Sequence, residues 1–127
     1  MDKTAMVTVD IGRGAEMIAR LTDAKLKIAV ALWAYLSEYE DWRMLIASSQ
    51  FDSLDLRDAY QLVHDALAPG GFTAANTPPI MILPMKDPSI KALRRLFGKT
   101  KSVEGMRLGG QLIGDRFVED AYVYRIS

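Results

Sequence analysis

The sequence contains no cysteine and a single histidine, His64. The first absence removes disulfides, thiolate zinc sites and cysteine nucleophiles together, and the second removes any histidine pair for a metal or a catalytic dyad. No metal and no cofactor are therefore expected. Net charge is missing as well: sixteen Lys and Arg balance sixteen Asp and Glu, so no global field draws the chain to nucleic acid or to an anionic membrane, and any such affinity must be local. No apolar run reaches the roughly 18 residues of a membrane span, and residues 1–10 lack a basic region followed by an apolar one. A cytoplasmic protein is the expectation.

What is present suits a folded domain. Half of the 127 residues are hydrophobic and a quarter charged, and a chain of that size buries roughly two-thirds of its unfolded surface. One domain over residues 1–127 is expected, with no internal repeat or low-complexity segment.

Residues 27–48, KIAVALWAYLSEYEDWRMLIAS, organise the pattern: two apolar runs, each with aromatic anchors, lie on either side of an acidic break. Ile28, Val30, Trp33 and Tyr35 suit a pleated surface. Near-continuous apolarity from Ile28 to Leu36 suits a strand covered on both faces, although Ala, Leu and Lys in the same stretch also propagate helices. The pattern predicts paired antiparallel strands at 28–36 and 43–48.

Upstream, residues 5–9 (AMVTV) read as an edge strand or a mobile segment, and Ile11, Ala15 and Ile18 then follow helical spacing with Thr8 or Asp10 as cap. Downstream, residues 51–53 end the second strand, and Ser53 or Asp52 caps a helix whose stripe is Leu56, Ala59, Tyr60, Val63 and Leu67. Pro69, Gly70 and Gly71 stop it, and the loop FTAANTPP follows. Residues 80–83 form a short strand after Pro79. Asp87 and Pro88 then start a helix that buries Ile90, Leu93, Leu96 and Phe97 and stops at Gly98.

The C-terminal residues read as a hairpin turning at Gly114 and Asp115, with Leu112 opposite Phe117 and Leu108 opposite Ala121. Met106, Leu108, Leu112, Phe117, Ala121 and Val123 then face inward, and Arg107, Gln111, Arg116, Asp120, Tyr122 and Tyr124 outward. The order is α-β-β-α-β-α-β-β. It implies an α+β (mixed α/β) fold with a mixed sheet of about five strands and three helices.

Few residues suggest chemistry. Asp10, Gly12 and Gly14 match the D-x-G-x-G phosphate loop of actin-like ATPases, but that fold needs two large lobes, and helix-start punctuation accounts for the glycines. Met17 stands where a dinucleotide fingerprint needs its third glycine. His64, at the margin of a helical stripe, reads as a surface residue rather than a lone acid or base. Glu119 falls on the apolar side, opposite Gly110, and is a candidate perturbed carboxylate; a bulge at Gly109 and Gly110 would return it to solvent.

Charge is unevenly divided along the chain. Residues 86–107 carry seven basic side chains against Asp87 and Glu104, and residues 38–65 carry seven acidic ones against Arg43 and Arg57. Lys91, Arg94, Arg95, Lys99 and Lys101 could grip phosphates, although no aromatic is interleaved to stack on bases. No convergent set of acid, base and nucleophile is visible. The leading expectation is a non-catalytic protein-association domain forming a homodimer through a sheet face or edge, with residues 117–125 as the participating strand and Tyr122 and Tyr124 as anchors. The second is a nucleic-acid- or phosphate-binding protein, such as a nuclease component, acting through residues 86–107.

Overall fold

The computed structural model describes residues 8–73, 75–100 and 102–127. Strands β1 (Val30–Leu36) and β2 (Asp41–Ala47) form the expected antiparallel hairpin, with Trp33 opposite Met44 and Leu36 opposite Asp41. Every residue of β1 is buried. Its alternate side chains feed two cores: Val30, Leu32, Ala34 and Leu36 face one layer, Ala31 and Trp33 the other. That explains the near-continuous apolar run, since a strand covered on both faces has no polar side.

Helices α1 (Thr8–Asp23) and α3 (Leu56–Leu67) cover one face, where Met17, Leu21, Ala59 and Val63 pack with Trp33, Met44 and Ile46. Helix α4 (Pro88–Phe97) covers the other with Ile90, Ala92 and Leu93. The remaining strands are β3 (Ile80–Ile82), β4 (Arg107–Leu108), β5 (Gln111–Ile113) and β6 (Arg116–Ile126), and a four-residue helix, α2 (Ser49–Asp52), follows β2. Sheet order is β3-β2-β1-β6-β4, with β5 also paired to β6; β2 and β3 run parallel and the other pairs antiparallel. The fold is α+β, with a mixed sheet, as the element order implied.

Several boundaries differ from the sequence reading. Thr8 and Val9 belong to α1 rather than to an edge strand, and residues 5–7 lie outside the described residues. Residues 49–52 do not extend β2, because the Ser48 side chain accepts the Gln50 N–H and turns the chain into α2, which buries Phe51. Asp55, not Ser53 or Asp52, caps α3 by accepting the Asp58 N–H at 2.8 Å. Leu56 and Leu96 lie in solvent although each extends an apolar stripe.

The C-terminal hairpin keeps the expected register, and Leu108, Ala121 and Val123 face inward as expected, but the residues near its turn do not. Leu112 does oppose Phe117 and Leu108 does oppose Ala121. Yet Leu112 is 67% exposed and Phe117 46%, while Ile113 and Val118 are buried. The cause lies in β6, which carries one extra residue against β1 at Glu119 and another at Tyr124. Each extra residue reverses the alternation, so Val118 and Ala121, three apart, both face the α4 core. The bulges belong to β6, not to Gly109 and Gly110. Strand β6 is also interior, with β1 on one side and β4 and β5 on the other, so residues 117–125 are not the sheet edge they were expected to be.

Candidate association edge and basic cleft

The two sheet edges are finished differently. At β3, Pro79 precedes the strand and Pro84 closely follows it. The inner side pairs with β2, where Met44 N–H reaches Pro79 O at 2.7 Å and Leu83 N–H reaches Ile46 O at 3.0 Å. On the other side Tyr60, from α3, serves two of the outward groups: its hydroxyl accepts the Ile82 N–H at 3.0 Å and donates to Ile80 O at 3.4 Å. A side chain thus replaces a neighbouring strand.

The opposite edge is made by β4 and β5 in succession along β6. Strand β5 pairs with β6 alone among the described residues. Its turn is clamped to the start of α4. Gly114 adopts φ 64, and any side chain there would meet the backbone of Pro88 and Ser89 at about 2.5 Å. The buried Ser89 hydroxyl donates to Ile113 O at 2.9 Å. Arg116 pairs with Asp87 at 2.7 Å, both largely buried, and Asp87 also caps α4 by accepting the Ser89 N–H at 2.9 Å. The Arg116 Nε lacks a hydrogen bond but faces the Glu38 carboxylate at 3.7 Å. The tip is therefore held on one face while Leu112 and Phe117, directly cross-strand, project from the other into solvent.

Tyr122 and Tyr124, the expected anchors, are not on a free face. Their rings lie 5.1 Å apart and pack against the core beneath α1. The Tyr124 hydroxyl donates to Ile11 O at 2.7 Å, and a side chain at Gly14 would overlap that hydroxyl. Gly14 is thus a place of close approach between α1 and β6 rather than part of a phosphate loop. Burial pushes the Tyr124 hydroxyl well above the usual tyrosine range, with Tyr122 and Asp10 adding to the effect.

Glu119 is exposed and accepts the Ser37 hydroxyl at 2.9 Å, because as the extra residue of its bulge it leaves the apolar face. Its neighbour Asp120 pairs with Arg107 at 2.7 Å. His64 is exposed on α3. The 72–79 loop is tied to α1: the Arg13 guanidinium stacks over Phe72 at 4.2 Å and donates to Asn76 O at 3.1 Å.

Of the five basic residues singled out in the sequence, Lys91, Arg94, Arg95 and Lys99 are exposed, and Lys101 lies outside the described residues. The structure separates them. Arg94 lines a cleft of about 1000 Å³ together with Lys25, Lys27 and Arg125, while Lys91, Arg95 and Lys99 do not. The sequence offered no signal for this set, whose members come from the end of α1, from α4 and from β6.

Among the described residues no three His, Asp or Glu side chains gather closely enough to hold a metal ion, and no helix is long and apolar enough to cross a membrane. No protein-family model matches the chain, and no curated protein or solved structure matches it either.

Proposed function

We propose that the chain is a non-catalytic association domain that forms a homodimer through the β4–β5 edge. One observation carries this reading: the open edge displays two large apolar side chains, Leu112 and Phe117, opposite each other on a rigidly held hairpin. A second copy is the occupant that fits. An antiparallel two-fold pairing of β5 with its counterpart brings each Leu112 against the other and supplies the main-chain partners that the edge lacks. The balanced net charge gives two copies little reason to repel. Covering two such side chains per protomer contributes on the order of 8 kcal/mol of gross burial, and the added main-chain pairing works in the same direction against the cost of associating. A cytoplasmic setting is part of the same proposal.

Light scattering after size exclusion tests it. At tens of micromolar the mass should be twice the 14.1 kDa of the chain, and Leu112→Lys with Phe117→Lys should return it to monomer. Tyr122→Phe should leave it dimeric, since that ring belongs to the core margin. A monomeric wild type at those concentrations would refute the reading. The alternative, nucleic-acid or phosphate binding by residues 86–107, finds less support, because Lys91, Arg95 and Lys99 form an open surface and only Arg94 meets other cations in a cleft.

A further inference from the structure

We infer that the cleft bounded by the end of α1, α4 and the last residues of β6 is a binding site for an organic phosphate, its phosphate held by Lys25, Lys27, Arg94 and Arg125. The site lies at the other end of β6 from the Leu112–Phe117 pair and rests on none of the features that support the dimer.

Charge is the first ground. Four cationic side chains line the cleft against one carboxylate side chain, Asp52, which accepts the Met85 N–H at 3.2 Å. Among the described residues none of the four is paired with a carboxylate side chain, although Arg13, Arg20, Arg107 and Arg116 each are. Gathering like charges without a counterion is unfavourable, and an anion in the cleft would reverse that.

Placement is the second. Gln50 holds the lysine segment from below: its side-chain oxygen accepts the Lys27 N–H, and its amide donates to Lys25 O at 3.5 Å. Arg94 is fixed through Nε, which donates to Ser127 O at 2.8 Å, and Arg125 through one terminal nitrogen, which donates to Ile28 O at 3.4 Å. Each guanidinium has five donors and uses one among the described residues, which leaves the planar fork to meet a phosphate oxygen pair.

The third is backbone conformation. Lys25 adopts φ 68 just past the end of α1, where the Leu26 N–H closes onto Leu21 O at 3.0 Å. Glycine is the usual residue at such a helix end because it adopts this conformation without strain. A lysine there places an ammonium at the cleft wall in a conformation that a side chain disfavours.

The floor of the cleft decides the class of ligand. Leu26, Ile28, Ala29 and Met85 supply apolar surface beside the cations. The volume is that of a small-molecule site. A phosphate ester with an apolar or aromatic body uses both parts of the lining, whereas inorganic phosphate uses only one. A nucleic acid would also engage the outer cations Lys91, Arg95 and Lys99.

The test is titration of the full chain at low salt, followed by backbone NMR, with adenosine monophosphate, inorganic phosphate and a single-stranded oligonucleotide as probes. Adenosine monophosphate is expected to bind more tightly than inorganic phosphate, to shift the amides of residues 25–29, and to weaken as salt rises. Arg94→Gln and Arg125→Gln should each lower its affinity by roughly tenfold or more, the effect of losing a charge-assisted contact. Lys25→Gly should also weaken binding while holding or raising the melting temperature, so lost affinity in that variant is not lost folding. Arg95→Gln should bind as wild type. The inference is overturned if neither phosphate probe binds, if Lys25→Gly and Arg94→Gln bind adenosine monophosphate unchanged, or if the oligonucleotide binds most tightly and depends on Arg95.

Discussion

At one edge of the sheet β3 is three residues long, lies between Pro79 and Pro84, and has its Ile82 amide and Ile80 carbonyl bonded by the Tyr60 hydroxyl. At the other, β5 is equally short but has no proline; Ser89 bonds Ile113 O at the turn, yet among the described residues no side chain bonds the Leu112 backbone, and Leu112 and Phe117 stand side by side in solvent. The difference is not one of order. The β5 end is clamped by Gly114, Ser89 and the Arg116–Asp87 pair. An exposed apolar pair on a fraying end would signify slack, whereas the same pair on a fixed end signifies a surface ready to be covered.

The largest effect is expected where the clamp is broken. Asp87→Ala removes both the α4 cap and the partner of a mostly buried arginine, and it should cost about 2–4 kcal/mol in urea unfolding. Asp115→Ala, which removes an exposed carboxylate 3.8 Å from Arg116 and 3.4 Å from the Ser89 hydroxyl, should stay within about 0.5 kcal/mol. Next comes the sealed edge. Tyr60→Phe strips the hydroxyl from Ile80 and Ile82, should cost about 1–2 kcal/mol, and should leave two open edges per chain. Masses above the dimer, rising with concentration in light scattering, are the expected sign; an unchanged mass would show that the prolines suffice.

A smaller effect concerns pH. Because the fold raises the Tyr124 hydroxyl, the unfolded chain loses that proton first on the alkaline side. Stability from this group is therefore whole below the ordinary tyrosine value near pH 10 and falls as pH rises past it. Tyr124→Phe should flatten that alkaline loss in melting curves while costing about 1 kcal/mol at neutral pH for the bond to Ile11.

What the sequence made legible follows from how local each signal is. The β1–β2 hairpin could be read because two aromatic-bearing apolar runs flank a polar break, and α4 because Asp87 and Pro88 announce it. Even the pairing of Leu112 with Phe117 could be read from a two-residue turn. Their exposure could not, because it depends on the extra residue at Glu119, which only the pairing of β6 with β1 defines. Tyr122 and Tyr124 do lie on the sheet face opposite Ala121 and Val123, but α1 covers that face, and the position of β6 inside the sheet removed the edge they were to anchor. Tyr60 looked like an ordinary member of an apolar stripe, since the strand it seals lies twenty residues away. The basic cleft was invisible for a similar reason: Lys25, Lys27, Arg94 and Arg125 converge only in the fold, and the compositional signal at residues 86–107 pointed mainly at an outer surface.

Amide hydrogen exchange at two protein concentrations tests the contrast between the edges most directly. If β5 is the association edge, the amides of Gln111–Ile113 gain protection as concentration rises through the micromolar range, while that of Ile82, already bonded to the Tyr60 hydroxyl, exchanges at the same rate throughout. Concentration-independent exchange at Gln111–Ile113, or protection gained at Ile82 instead, would contradict it.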